Sequence, residues 1–518
     1  LHVAAIALLL NSEGLSEDAV VKTKMQRKIT AIGHREKTGR INANVFREVE
    51  KLERRLMLSA VFPTVTQTQI ASGTELAISV SGGRQITISQ SATGVTITQA
   101  ATTFLAGDLN QDQVVNFADL VIAVQGIPTA GLGPMVKVVQ EMGWTDPQAP
   151  LTSILYPGTF SEIAVTCVHG DNTIKLDSTV TDPAVLQGGG GRDTLIAGAG
   201  DTVLYAGTGQ DSLIAGSGTD TLVGLGTNPA TLQGGTGVDS FWASSTDLVT
   251  NVSAAETALN AVHVVTAVPA LASPAVGNGG GTYASFAADP LFEPGGPNIL
   301  DIKQGSAGDC WFLSTLGAFA QTDAQQIRQD IVRLSDGTFL VRFLNGSVPV
   351  FEHIDATLPT DTGGGPINAK LGQDNSLWAP LLEKALAIFR KSGNTYSDLS
   401  SGWMNEAYAD LGINGFDYSP NFWASPTDML KQIQTQLSSH QAVTAGILTV
   451  PSGIPLIANH AYTVVAVTTD GSGNPIGLEL RNPWGRVGIS GYADNNGYIT
   501  ITPAQAFAAI AGTTVATV

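Results

Sequence analysis

A glycine and aspartate repeat at residues 187–241 constrains this chain more than any other feature. Its units read GGGGRDTLI, AGTGQDSLI, AGSGTDTLV and, after a gap, GGTGVDSFW. Their aspartates are Asp193, Asp211, Asp220 and Asp239, at spacings of 18, 9 and 19. The period is about nine with one-residue slips, and an irregular unit, AGAGDTVLY, fills the first gap. Each unit places an apolar residue two positions after its aspartate, as at Leu195, Leu213 and Leu222. A flexible Gly-rich linker has no use for a periodic apolar position. A phosphate loop is excluded, because no Gly-Lys-Ser/Thr follows. Glycine reaches 58 of 518 residues, about 11% against an average near 7%.

The repeat resembles the RTX, or haemolysin-type, calcium-binding nonapeptide. That resemblance implies a short parallel β-roll with glycine turns and the periodic apolar residue packed inside. It also implies that Asp193, Asp211 and Asp220, together with backbone carbonyls, hold calcium between successive turns. Alanine replaces the first glycine of several units, so not every site need be filled.

Around the repeat the chain changes texture several times. Residues 1–60 carry 11 basic and 7 acidic side chains, whereas the other 458 carry 15 and 37. The segment 1–60 is therefore a separate basic stretch. Within it, VAAIALLL reads either as the end of a secretory h-region or as a buried helical turn. LERRLMLSA resembles the LEPR-type N-terminal segments of large exported bacterial surface proteins, with Arg54 where that pattern prefers proline. Residues 61–106 are a small β-rich module, because ELAISVSG, RQITISQS and GVTITQA alternate with strand period between Gly and Ser turns.

In 107–150 the run GDLNQDQVVNFAD puts oxygen donors at loop positions 1, 3, 5, 9 and 12: Asp108, Asn110, Asp112, Asn116 and Asp119. The Val114 carbonyl stands at position 7, a spacing that suits calcium. Asn at 9 and Asp at 12 resemble a dockerin type I loop. Gln113 replaces the turn glycine, and no second copy follows within 150, so calcium binding is expected and cohesin pairing is not. The repeats proper span 160–245, and 246–295 read as a linker.

Residues 296–518 hold the chemistry. QGSAGDCWFLSTL, residues 304–316, sets Cys310 after a Gly-Asp turn and at the start of an apolar helix. A helix N-terminus favours thiolate. Gln304, six residues upstream, is placed to aim its amide at a developing oxyanion. A cysteine nucleophile needs a base and an orienter. NHAYTVVAV offers His460 at the start of a strand, and ELRNPWGR offers Asn482 at the end of the next, with Trp484 to cover their bond. WAPLLEKALAIF carries apolar residues at 378, 381, 382, 385, 386 and 389, a core-facing helical stripe assigned to packing.

In order, these blocks resemble the signature blocks of the calpain family of papain-like cysteine proteases, over roughly 215 residues. The resemblance implies an α+β, two-lobed papain-like domain at the C-terminus. By position it makes Cys310 the nucleophile, His460 the general base and acid, Asn482 the orienter, Gln304 the oxyanion donor and Trp484 the aromatic shield. It also sets Asp301 where the family places a calcium ligand, while the family's partner glutamate position is Ser376, with Asp374 nearby.

The reading at this point is a multidomain, calcium-associated cysteine endopeptidase acting on protein substrates. Its setting is extracellular or cell-surface, with an intracellular one also open and cell-surface or matrix components as further partners. The net charge of −18 argues against nucleic acid as a general partner. No apolar run is long enough for an integral membrane span. The competing reading is an inert surface or matrix binding protein built on calcium modules. Acyl transfer of the transglutaminase type is disfavoured, because its orienter is typically Asp. Cys167, in EIAVTCVHG, reads as a buried small hydrophobe.

Overall fold

The first consequence of the nine-residue period is a stack of very short strands. In the computed structural model, which describes residues 63–70, 73–80, 84–99, 153–277, 280–293, 295–390 and 394–518, the repeats form two facing sheets. Within the glycine repeat one full coil takes 18 or 19 residues, and each coil contributes one strand to each sheet. In one sheet Leu186, Leu204, Leu222 and Phe241 align in parallel register. In the other, Ile174, Leu195, Leu213 and Leu232 do the same. All eight side chains are fully buried. Burying one such leucine contributes roughly 1.5–3 kcal/mol, which is why the periodic apolar position holds the coils together. Strands of three residues suffice, because each middle side chain points inward and its neighbours point out.

The coil runs beyond the segment with the glycine signature. Gly73–Val80 pairs in parallel with Glu162–Cys167, and Gln85–Ser91 pairs in parallel with Thr173–Leu176. The strands expected as a separate module at 61–106 therefore form the first coil. Antiparallel partners Thr64–Ile70, Gly94–Gln99 and Ser153–Pro157 close that end. The stretch expected as linker also begins inside the roll, with Leu248–Thr250, the helix Ala254–Ala258 and Val262–Val265 as the last coil. Thr282–Ser285 then pairs with Thr357–Thr360. Cys167 is a free, buried thiol inside the roll, and burial pushes its pKa up. The dockerin-like loop, with Asp108, Asn110, Asp112, Val114, Asn116 and Asp119, and the segment 1–60 lie outside the described residues.

The C-terminal region builds two cores. The first surrounds the helix Cys310–Thr322, with Trp311, Phe312, Leu316 and Phe319 packed against the helix Trp378–Phe389 and the strand Phe339–Asn345. The second lies between a six-stranded antiparallel sheet and the helices Pro426–Ser438 and Pro503–Ala509. In that sheet Gln441–Ile447, His460–Thr469 and Pro475–Arg481 are consecutive neighbours. The helix Trp378–Phe389 is more than an apolar stripe, for Glu383 and Lys384 are buried as well. Lys384 is satisfied by Asp355 Oδ1 at 2.6 Å and by the Asp355 and Thr357 carbonyls.

The roll packs directly on the C-terminal region. Tyr205, Val223, Trp242 and Val265 on its outer face join Val332 and Leu340 in one buried cluster. The Tyr205 hydroxyl donates to the Arg333 carbonyl at 2.9 Å, and Arg328 pairs with Asp201 at 3.4 Å.

Candidate active site and calcium turns

Cys310 is the first residue of its helix, behind the Gly308-Asp309 turn. Its side chain is half-buried, and the N–H of Ala461, the residue next to His460, faces its sulfur. One helical turn further on, Thr463 Oγ1 donates to the Ser314 carbonyl at 2.7 Å, so helix and strand stay in register. Gly317 makes this approach possible, because a Cβ there would lie 2.6 Å from Thr463 Oγ1.

His460 opens the strand His460–Thr469, and its Nε2 lies 2.9 Å from Asn482 Oδ1. A carbonyl oxygen at Nε2 assigns the ring proton to Nε2 and leaves Nδ1 as the acceptor. Asn482 follows the neighbouring strand Pro475–Arg481 and is fully buried. Its Nδ2 donates to the Val487 carbonyl, and its Oδ1 also accepts the Trp484 N–H. The Trp484 ring lies 4.9 Å from the imidazole, and Tyr462 meets it edge-on at 5.1 Å. Gly488, at φ +71°, gives the indole its seat, since a Cβ there would lie 2.6 Å from the ring.

Burial dominates the electrostatics. It pushes the Cys310 thiol above its ordinary value, the Ala461 N–H pulls it down in part, and Asp309 adds to the rise. Burial also lowers His460, against the bond to Asn482, which favours imidazolium. For each group, burial taken alone opposes the charged form.

Gln304 is stitched to the same place. Its backbone N–H donates to the Pro483 carbonyl at 2.7 Å. Its Nε2 donates to the Ala307 carbonyl at 2.7 Å and to Asp309 Oδ1 at 3.1 Å, while its Oε1 is buried without a partner. Both amide hydrogens are directed into its own loop, so donation to an oxyanion requires one of them to turn. Arg481, which the sequence reading missed, bridges the two segments by donating to the Ile302 and Asn496 carbonyls.

Asp301 is fully buried, and its oxygens accept from Asn298 N–H, Gln373 N–H and Trp378 Nε1. Ser376 Oγ is buried without a partner. Among the described residues no group of three His, Cys, Asp or Glu side chains includes Asp301, so a calcium held there would draw on backbone oxygens as well.

The roll's carboxylates form two ladders. Asp193 Oδ1 accepts the Asn172 N–H, and Asp211 Oδ1 accepts the Asp193 N–H. In the second ladder Asp220, Asp239 and Glu256 accept the N–H groups of Thr202, Asp220 and Asp239. The second oxygen of each aspartate takes the N–H of a glycine four residues upstream. The irregular unit departs by one residue, so Thr202 occupies the aspartate's slot. Glu256 was missed, because its Ser253-x-x-Glu256 context reads as a helix cap, and it serves as one too. The glycine turns stack so closely that a Cβ at Gly209, Gly216 or Gly237 would overlap the carbonyl oxygen of the turn before. Carboxylates and rows of glycine carbonyls make an all-oxygen surround, which fits calcium. Among the described residues no three His, Cys, Asp or Glu side chains converge, so backbone carbonyls must complete any coordination.

A thiol that opens a helix, and an imidazole bonded to a side-chain amide on a sheet docked against that helix, are parts that a cysteine protease domain uses. Known proteins agree. The family model for calpain family cysteine protease matches residues 283–497, and this stretch is a calpain-family domain. The model for the RTX calcium-binding nonapeptide repeat matches residues 198–228, and calcium is the ion such repeats bind. Calpain-13 of Rattus norvegicus is 31% identical over 209 residues, 38% of this chain and 30% of that protein. The Calpain-2 catalytic subunit of Homo sapiens is 29% identical over 237 residues, 42% and 33% respectively. Calpain-14 of Homo sapiens is 32% identical over 206 residues, 36% and 28%. The chain thus spans about a third of the length of these relatives.

Proposed function

We propose that this chain is a calcium-associated cysteine endopeptidase whose C-terminal region is a papain-like, two-lobed domain cutting protein substrates. The bond from the Thr463 hydroxyl to the Ser314 carbonyl carries the reading, because it docks the strand that opens with His460, itself bonded to Asn482, on the helix that opens with Cys310. The separate cores around the cysteine helix and behind the histidine sheet support the two lobes. The roll, from Gly73 to Val265, and the region from Thr282 onward are the natural division of the described residues.

The chemistry needs one proton moved from sulfur to imidazole. As sulfur attacks the peptide carbonyl, its proton passes to His460 Nδ1 and a C–S bond forms. The Cys310 N–H and a turned Gln304 Nε2 receive the oxyanion. The C–N bond breaks as His460 returns the proton to the leaving amine. Water, deprotonated by His460, then releases the acyl group and restores the thiol. Asn482 keeps the ring in the tautomer this needs, and Trp484 keeps water from their bond.

Calcium bound at the roll would supply cross-links between coils, with Asp193, Asp211, Asp220, Asp239 and the glycine carbonyls as its holders. RTX repeats are typical of secreted proteins, which supports an extracellular or cell-surface setting. Among the described residues no helix is long and apolar enough to cross a membrane.

Casein cleavage by wild type, Cys310→Ser and His460→Ala, each with calcium and with chelator, tests the reading. Wild type should cleave, and either variant should lose a thousandfold or more, on the order seen when one member of a catalytic triad is removed. Cleavage by none of them, with Cys310 still open to alkylation, would leave the inert binding module instead.

A further inference from the structure

Two buried acids beside the cysteine have no part in the reaction as written so far. Asp309 is fully buried at the helix N-cap, and Glu383 is buried on the helix Trp378–Phe389. Asp309 Oδ1 accepts from Gln304 Nε2, whereas Asp309 Oδ2 is buried and receives no N–H or hydroxyl. Both Glu383 oxygens lie on the Ala369 N–H, at 3.1 and 2.9 Å. The two carboxyl groups face each other. With Asp309 Oδ2 buried and given no N–H or hydroxyl, a proton held between the two acids is the donor left to satisfy it.

We propose that Asp309 and Glu383 share one buried proton and act together as positioning residues that hold the Gln304 loop and the Cys310 end of the helix. The inference rests on the protease reading above. The covalent geometry makes the link short. Asp309 precedes Cys310 and grips the Gln304 side chain. Glu383 grips Ala369, on the segment along which the Gln304 loop lies, through Ser306 N–H to the Ile367 carbonyl and Lys370 N–H to the Lys303 carbonyl. A bond from a carboxyl O–H to a carboxylate is short and strong, so it fixes the loop better than a neutral pair would. The shared proton also limits the pair to one negative charge beside the thiol and the developing oxyanion.

The groups facing the pair fit this state. Burial raises Glu383 well above an ordinary carboxyl, with Asp309 adding to the rise and Lys370 opposing it. Burial raises Asp309 to about 6 against the bond from Glu383. The Tyr396 phenol faces both acids, the Tyr283 phenol faces Tyr396, and the Cys310 thiol faces Asp309.

The test compares Glu383→Gln with Glu383→Leu. A glutamine amide donates to Asp309 and accepts from Ala369, so E383Q should retain peptidase activity within about threefold. E383L leaves Asp309 without its donor. It should lose about 100-fold in kcat with KM little changed, the size of losing one oxyanion donor. A peptide aldehyde, which forms the tetrahedral adduct, should bind E383L more weakly by a similar factor. Alkylation of Cys310 by iodoacetamide, which forms no oxyanion, should change far less. Wild type should also show an infrared band of a protonated carboxyl at neutral pH that E383Q removes. Absence of that band, or equal losses in E383Q and E383L, would overturn the proposal. If E383L fails to fold, the band and E383Q still decide. If wild type shows the band but cleaves nothing, the protease reading fails and the shared proton stands.

Discussion

At Cys310 two physical effects oppose each other, and burial wins over the helix N-terminus. The same holds at His460, where desolvation lowers the imidazole more than the Asn482 bond raises it. The acid limb of kcat/KM should therefore fall below the ordinary histidine value, because an imidazole that resists protonation remains a base at lower pH. Asn482→Ala removes a bond that favours imidazolium, so it should shift that limb lower still while cutting kcat. A limb at or above the ordinary value would show that the ring is not desolvated in the working enzyme. Gln304→Ala should cost about 100-fold in kcat with KM nearly constant. An equal rise in KM would show that the amide binds ground state and transition state alike. The short blocks around Cys310, His460, Asn482, Gln304 and Trp484 were conspicuous in the sequence. Asp309, Glu383 and Arg481 were not. Their meaning lies in burial against residues far away in sequence, and an acid inside LLEKAL looks like any solvated helix face.

Among the elements, the roll shows how much a period reveals and where it stops. The apolar columns were legible from Leu195, Leu213 and Leu222, since a fixed offset from the aspartate can be counted. The first coil was not, because Gly73–Val80 and Gln85–Ser91 alternate like ordinary strands and their parallel partners follow only after residue 160. The last coil lost the glycine signature and carries a capped helix between its two strands. Leu213→Ala removes a wholly buried side chain from the middle of a column, and should destabilise the roll by about 2–5 kcal/mol. Thermal unfolding followed by circular dichroism reads this directly, and an unchanged midpoint would mean the columns do not hold the coils. Chelating calcium should lower the same midpoint, whereas Asp220→Ala should blunt the response to chelator.

Across the whole molecule, the cluster of Tyr205, Val223, Trp242 and Val265 with Val332 and Leu340 ties the roll to the core that carries Cys310. The contact was invisible in the sequence, because the outward positions of a coil look like solvent-facing ones until something covers them. Loss of calcium should therefore lower the unfolding midpoint of the C-terminal region as well as that of the roll. Trp242→Ala should make the C-terminal midpoint indifferent to chelator, and a coupling that survives this variant would place the link elsewhere. The patch occupies four successive coils from Tyr205 onward, and the hairpin strands close the opposite end. Whole coils between Ala184 and Gln187 and the closing strands are thus free to vary in number. Each one added or removed would lengthen or shorten the roll by a single strand spacing, about 4.8 Å, without disturbing the docked face. One end of the roll is thus pinned by its partner, while the number of coils beyond it is open to insertion and deletion.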